Sequence, residues 1–399
     1  MDLQTKLVVI MVGLPARGKS FLAAKLQRYL AWQGYKIKIF NAGNYRREIL
    51  GDKFSGSDFF NPNCEKFSKQ REEVAKKCFS NLIQWLKNNG EIAIYDATNV
   101  TPKRRNYLAK ECQKSGLDYI FIENICDNQK IIDEIIGIKI KNSADYEGKD
   151  EKWAKKDFEE RLRHYEKVYE SMSEIPYIKI FNFGERIEKN FDGRTNIFFD
   201  ELAEFLGNLR FIKKNVYLTR HGETFFNLEN KIGGDSLLTD SGVEYAKKLA
   251  DYFNDFDLTV FISPKTRTIK TAEFLKHQKI KLEELSEINS GICDSLSYEE
   301  IAEKFPKIYL DRKNDKFNFC YPKGESYKML IQRIKKVIFE VERQDKNVVI
   351  IAHRAVNRCL FSYFIETAQN DIPHIEMPLN KIIKITPNKA FYNFEILEF

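Results

Sequence analysis

Two short stretches of this 399-residue chain carry residue types at the spacing that phosphate chemistry needs. In the first, Gly13-Leu14-Pro15-Ala16-Arg17-Gly18-Lys19-Ser20 follows an apolar run and opens an amphipathic one, the setting of the phosphate loop GxxxxGK(S/T). Gly13 and Gly18 let backbone N–H groups curl around a phosphate, and Arg17 lies within the same loop. A helix N-terminus adds partial positive charge, Lys19 neutralises β and γ oxygens, and Ser20 can hold magnesium. A carboxylate at the end of a neighbouring strand usually completes such a magnesium shell, and Asp96 closes the run EIAIYD. Its competing role is to cap the helix that starts near Thr101 or Pro102. An acceptor molecule needs its own anion site. Arg46-Arg47, Arg71, Arg104-Arg105 and Arg161 can supply one, and they are informative only as a set.

The second stretch, Leu218-Thr219-Arg220-His221-Gly222-Glu223-Thr224, sets an Arg-His pair at the end of an apolar strand, followed by a glycine that allows close backbone approach. It resembles the RHG signature of histidine phosphatases, in which the histidine attacks phosphorus and becomes phosphohistidine. An imidazole is a good nucleophile near neutral pH, and a covalent intermediate divides hydrolysis into two easier steps. Arg220 would clamp phosphoryl oxygens, joined by Arg267 in SPKTRTIKTAE and His353 at the end of NVVIIAH. A general acid must protonate the leaving alkoxide; Glu287 in LSEINSGICD is the leading candidate, with Glu283 and Glu284 left open.

Both motifs demand strands that end together. Short β-rich runs (LVVIMV, KIKIF, EIAIYD, DYIFIE, YIKIF) alternate with helical segments near 19–32, 65–87, 128–141 and 152–172 and with IFFDELAEFL, which implies βαβ units around a parallel sheet. The alternation restarts at VYLTRH, with helices at 241–254, 266–276, near Tyr298, 327–343 and 356–365 and two closing strands. The chain therefore reads as two α/β domains, 1–212 and 213–399, with the boundary between Gly207 and Asn215.

Composition narrows the class. With 43% apolar residues the chain is not disordered. No apolar run approaches the ~18 residues of a membrane span, so no membrane role is expected. Seven cysteines without a CxxC pair suggest neither a disulfide framework nor a zinc site and fit a reducing cytoplasm. The net charge of +7 is spread along the chain without a basic tail, so nucleic acid is not an expected partner.

The order and spacing of GLPARGKS and RHGE resemble the bifunctional 6-phosphofructo-2-kinase/fructose-2,6-bisphosphatase family, from about Leu7 to Phe394. Matching stretches include FNAGNYRRE, YDATN, ENIC, SADY, DFEERLRHYE, KIGGD, YPKGESY and AHRAVNRCL. The resemblance implies a P-loop kinase-type parallel sheet with helices on both faces, then a histidine-phosphatase, phosphoglycerate mutase-like α/β domain. It implies ATP and magnesium as cofactors, fructose 6-phosphate and fructose 2,6-bisphosphate as partners, and a homodimer. The first domain would phosphorylate the 2-hydroxyl of fructose 6-phosphate and the second remove that phosphate, controlling glycolysis and gluconeogenesis.

By the same resemblance Lys19 and Ser20 serve ATP and magnesium, and Asp96 is the active-site carboxylate. Arg46, Arg71, Thr98, Arg104, Arg161 and Tyr165 hold fructose 6-phosphate, and Cys126 matches a family cysteine that reads equally well as a buried apolar residue. Asn227, Gly233, Tyr298, Arg312, Lys316, Tyr327 and Arg358 bind the sugar and its other phosphate.

Three departures stand out. The family's substrate-binding lysine falls on Ile140 by gapless counting, between Lys139 and Lys141, and a helix turns about 100° per residue. Arg354 replaces the usual glutamine and is expected to strengthen phosphate binding; Lys231 replaces an arginine. Ile140 makes a decayed kinase head the runner-up reading, and a binding-only nucleotide sensor is a third. The nearness of the first and last strands to the chain ends leads to an expectation of little control through terminal modification.

Overall fold

The computed structural model describes residues 6–398 apart from 52, 53, 55, 175, 194, 195, 389 and 390. The described residues divide into two compact units, one formed by residues 6–31 and 35–211 and the other by residues from Ile212 onward, residues 32–34 aside.

The first unit runs β1 (Leu7–Val12), α1 (Lys19–Trp32), β2 (Ile37–Asn41), α2 (Ala42–Leu50), α3 (Glu65–Asn88), β3 (Ile92–Asp96), α4 (Pro102–Lys114), β4 (Asp118–Ile125), α5 (Gln129–Asn142), α6 (Glu151–Glu166), β5 (Tyr177–Phe181), β6 (Arg186–Asn190) and α7 (Ile197–Asn208). Its sheet has the order β2-β3-β1-β4-β5-β6, parallel except for β6. All six residues of β1 are buried because it lies between two strands with helices on both faces. Val8, Ile10 and Val12 meet Phe79 and Leu82 of α3 and Leu108 and Cys112 of α4; on the other face α1 and α7 join through the stacked rings of Tyr29 and Phe205, 4.1 Å apart. Loop residues start the helices: Thr101 accepts from the Arg104 N–H ahead of Pro102, and Asn128 accepts from those of Lys130 and Ile131.

The second unit runs β7 (Val216–Arg220), α8 (Phe225–Leu228), α9 (Asp240–Tyr252), β8 (Leu258–Ile262), α10 (Thr266–Thr271), β9 (Lys279–Lys281), α11 (Tyr298–Lys304), α12 (Pro306–Asn314), α13 (Tyr327–Glu342), β10 (Asn347–Ala352), α14 (Arg354–Ile365), β11 (Ile382–Asn388) and β12 (Phe391–Leu397). The sheet order is β12-β11-β7-β10-β8-β9, with β11 and β12 antiparallel. Tyr245 and Leu249 of α9, with Phe253 just beyond it, pack on Val260, Ile262, Val349 and Ile351.

Several elements differ from the sequence expectation. α6 ends at Glu166 rather than Met172, because the chain beyond it satisfies the buried Glu123 carboxylate of β4. Tyr169 Oη donates at 2.7 Å, Ser171 Oγ at 3.0 Å and Met172 N–H at 3.2 Å, which a continuing helix would not allow. α10 ends at Thr271: the Ala272 N–H bonds to the Thr268 and Lys270 carbonyls, and the tightened turn carries Leu275 into the core. The mostly charged β6, the three-residue β9 and α12 had no apolar period to announce them.

Candidate active sites

In each unit the candidate side chains gather where parallel strands end, the edge at which open α/β sheets bind ligands. In the first, the loop 13–18 joins β1 to α1. Gly13 adopts φ +136° and Gly18 φ +81°; a side chain at Gly13 would strike the Asn124 carbonyl, and one at Gly18 the Phe183 ring. Two further bonds close the loop: the Asn124 side chain donates to the Arg17 carbonyl, and the Gly13 N–H to the Thr98 carbonyl at 2.9 Å. Arg17 lies 3.9 Å from Glu166, and burial lowers its pKa.

Lys19 is buried and donates to the Leu14 carbonyl at 2.6 Å, inside its own loop. Burial, then the charge of Lys139, pushes its pKa down to about 7, a state that an incoming polyphosphate would reverse. Ser20 Oγ donates to Asp96 Oδ2 at 2.8 Å, and Asn41 Nδ2 donates to the same oxygen at 2.5 Å. Hydroxyl and carboxylate oxygens side by side are hard donors of the type magnesium takes, and the glycine cradle leaves backbone close enough for a phosphate. Asp96 is thus engaged with the phosphate loop, while Thr101 caps α4.

A cluster of arginines lies beside this loop. Asp145 accepts from Arg46 at 2.5 Å, Arg161 at 3.4 Å and Arg47 at 3.5 Å. Burial alone would raise its pKa, but the Arg46 hydrogen bond and the three guanidinium charges hold it below the usual carboxylate range. The Phe60 ring lies under Arg161 at 3.7 Å and Arg46 at 5.3 Å, with Tyr165 against it at 5.9 Å. Arg71 donates to the Phe59 carbonyl and packs on that ring, and Arg104 reaches Tyr95 Oη at 3.5 Å. The Nε atoms of Arg46, Arg104 and Arg161 are buried without a partner.

The residues on either side of Ile140 differ in their surroundings. The half-buried Lys139 is the α5 lysine whose charge couples to Lys19, Asp96, Asp145 and Arg161, whereas Lys141 is exposed. Of the two lysines beside Ile140, Lys139 is thus the one whose charge lies near the phosphate loop and the Asp145 cluster. Cys126 is buried near Arg17, and burial raises its thiol pKa.

In the second unit His221 follows β7 and His353 follows β10, their ring centroids 5.3 Å apart. His221 Nδ1 faces the Gly222 carbonyl at 2.8 Å, so Nδ1 carries the hydrogen and Nε2 the lone pair. Burial, then Arg267, pushes its pKa down to about 3, which keeps the imidazole neutral. His353 is fully buried; its Nδ1 accepts from Arg267 Nε at 3.3 Å and its Nε2 meets Ser263 Oγ at 2.8 Å. Asp235 accepts from the Thr266 and Arg267 N–H groups and lies 3.4 Å from the Arg267 guanidinium, fixing that arginine from both ends.

Arg220 donates to the Met377 carbonyl, and burial followed by Arg354 lowers its pKa to about 10. Of the candidate carboxylates, Glu287 lies beside the phosphoryl-clamp arginines. Its Oε1 accepts the Ala355 N–H at the start of α14 at 3.3 Å, and its charge acts on Arg220 and Arg267. Glu284 instead points to Lys336, 4.0 Å away.

Further out, Arg312 donates to Tyr298 Oη at 2.8 Å, and Arg358 to Tyr327 Oη at 3.1 Å. Lys316 is held at about 8 by burial and by Arg358, Arg312 and Arg354; Arg354 is exposed. Lys231 pairs with Glu229 at 2.6 Å. Asn227 accepts from Thr224, and Gly233 backs onto Asp294; among the described residues no hydrogen bond links either to the histidine pair.

Comparison with known proteins gives matches over both units. The 6-phosphofructo-2-kinase family model matches residues 1–194, and the histidine phosphatase superfamily (branch 1) model matches residues 216–397. A 6-phosphofructo-2-kinase/fructose-2,6-bisphosphatase of Caenorhabditis elegans is 39% identical over 95% of this chain and 86% of its own. The chain belongs to this bifunctional family. A fructose-2,6-bisphosphatase of Saccharomyces cerevisiae is 38% identical over 97% of this chain and 87% of its own, and a Rattus norvegicus bifunctional relative 38% over 95% and 82%. Among solved structures, the α-ribazole phosphatase of Shigella flexneri aligns with 46% of this chain and 96% of its own, at TM-score 0.43 and 23% identity.

For a member of this family, several positioning residues had escaped the sequence reading: Asn41, Asn124 and Asp145 in the first unit, Ser263 and Asp235 in the second. All five lie in stretches quoted above, and the clearest signals were Asp145 in SADY and Asp235 in KIGGD, acidic residues amid a surplus of arginines.

Proposed function

We propose that the first unit transfers the γ-phosphoryl group of ATP to the 2-hydroxyl of fructose 6-phosphate and that the second hydrolyses the product at the same position. Phosphoryl transfer needs positioning and charge neutralisation more than covalent chemistry. Lys19 and the loop N–H groups would hold the donor phosphates, and Arg46, Arg161, Lys139 and Tyr165 the sugar phosphate. Magnesium held by Ser20 and Asp96 would neutralise charge on the donor. Arg71, Thr98 and Arg104 would complete the acceptor pocket.

In the second unit the His221 Nε2 lone pair attacks phosphorus as the bond to the sugar oxygen breaks, and Glu287 gives that oxygen its proton. Water then attacks the phosphohistidine, Glu287 takes a proton back, and phosphate leaves. Arg220, Arg267 and His353 would clamp the phosphoryl oxygens, with Arg312, Lys316, Arg358, Tyr298 and Tyr327 on the sugar and its other phosphate. Asn227, Gly233 and Arg354 are assigned to the same pocket by family resemblance.

The observation that carries this reading is a buried, neutral imidazole with its free nitrogen among guanidinium groups, on the same chain as a complete phosphate loop. The test is fructose 2,6-bisphosphate formation by His221→Ala given ATP, magnesium and fructose 6-phosphate. Product is expected to accumulate and to vanish when wild-type protein is added; no product from a folded, ATP-binding variant refutes the kinase assignment.

A further inference from the structure

Three cations of the second site are tied to a single stretch of backbone. Lys316 Nζ donates to the Pro373 carbonyl at 2.8 Å, Arg358 Nε to the Ile375 carbonyl at 2.6 Å and Arg220 Nη1 to the Met377 carbonyl at 3.1 Å. These side chains come from the loop after α12, from α14 and from the end of β7, so no single element of secondary structure sets their spacing.

The stretch leaves a 3₁₀ turn at Gln369–His374 and alternates in exposure. Pro373 and Met377 are buried and Ile375 half-buried, while His374 and Glu376 are exposed. The buried side chains anchor it, and every second carbonyl turns toward a cation.

The choice of acceptor matters. A carboxylate would hold each cation more strongly and cancel the charge a phosphate needs, as Asp145 partly does in the first unit. A carbonyl fixes a donor in place and leaves its charge intact. An ammonium has three N–H donors and a guanidinium five, so each cation keeps donors for an anion while still held. Arg220 Nε is already buried without a partner.

We propose that residues 373–377 act as a carbonyl ruler, fixing the distance between the cation at the reacting phosphoryl, Arg220, and those at the far phosphate, Arg358 and Lys316, and so selecting for a sugar bisphosphate. This rests on the phosphohistidine reading above. Its content is that backbone, not the exposed side chains, controls recognition of the second phosphate.

A glycine inserted after His374 shifts the Pro373 carbonyl while leaving those of Ile375 and Met377 in phase. Its effect on hydrolysis of fructose 2,6-bisphosphate is compared with that on p-nitrophenyl phosphate, which needs only the reacting-phosphoryl pocket. The expected result is a rise of roughly tenfold or more in KM for the bisphosphate, the worth of one hydrogen bond to a charged group, with aryl phosphate turnover and kinase activity changed less than about twofold. His374→Ala and Glu376→Ala should leave all three unchanged. Should the insertion variant not fold, His374→Gly/Glu376→Gly loosens the backbone without removing a buried contact, and a rise of about fivefold or more is expected, the level of two added glycines.

A KM within about twofold of wild type in the folded variant overturns the ruler, as does an equal loss against both substrates or an effect of either alanine variant. Wild-type protein that does not hydrolyse the bisphosphate at all would sink the functional reading, and the ruler with it; the other outcomes sink the ruler alone.

Discussion

Lys139 offers the sharpest test of the kinase site, because counting along the sequence and the geometry of α5 pick different residues. Its ammonium interacts with the charges of Lys19, Asp96, Asp145 and Arg161, and burial followed by Arg161 holds its pKa below the ordinary value. A cation in that position is stabilised most by an anion, and a net hydrogen bond to a charged group contributes about 1.5–3 kcal/mol. Lys139→Ala should therefore raise KM for fructose 6-phosphate about 10- to 150-fold, at ~1.4 kcal/mol per tenfold. Lys141→Ala and Ile140→Ala, at exposed and half-buried positions, should change it less than about threefold. Product formation is best measured in the His221→Ala background, where the second unit cannot destroy it. A second readout separates charge from packing. Lys139 is the largest charge lowering the Lys19 pKa, so Lys139→Gln should move the alkaline limb of kcat/KM for ATP upward from about 7. Equal losses from Lys139→Ala and Lys141→Ala, or an unmoved limb, would refute the placement.

Other expectations concern the second unit. Glu287→Gln should lower bisphosphatase kcat by about 10²- to 10⁴-fold, the usual worth of a general acid, while Glu284→Gln changes little; a large effect of the latter would reverse the assignment. Arg354→Gln should weaken inhibition by inorganic phosphate severalfold, since Arg354 adds charge beside Arg220 and Lys316; an unchanged inhibition constant would discard that role. His221 and His353 have pKa values lowered by folding, so the unfolded chain takes up more protons below about 6.5. Stability of this unit should be full above that pH and fall by roughly 1.4 kcal/mol per pH unit for each histidine between pH 6.5 and 5. Urea midpoints that stay flat over that window would contradict it.

The parts legible in the sequence were those with a strong local signal. Buried parallel strands such as LVVIMV and NVVIIA are continuous apolar runs, and the residues after them, Gly13, His221 and His353, are where chemistry was expected. What stayed hidden depends on contacts distant in sequence. Nothing near Met172 says that a helix must end so that Tyr169 and Ser171 can reach Glu123. Nothing near Ser263 says that its hydroxyl will meet a histidine 90 positions away. The α5 lysine was left open for a geometric reason: one residue along a helix changes the face by about 100°, so gapless counting could not choose between Ile140 and Lys139.

Burial acts in both units, with opposite chemical results. It strips Lys19 of much of its preference for a proton, so that the charge of this cation becomes a response to phosphate rather than a fixed property of the fold. The same desolvation at His221 works on a base that must stay unprotonated: with its pKa at about 3 and Nδ1 committed to the Gly222 carbonyl, Nε2 keeps its lone pair throughout the neutral range. The flanking guanidinium groups reinforce this, because Arg267 repels a proton from the imidazole and attracts the phosphoryl oxygens. Removing water from a cationic pocket thus readies a donor clamp in one unit and a nucleophile in the other, and the difference lies in which group has to give up its proton.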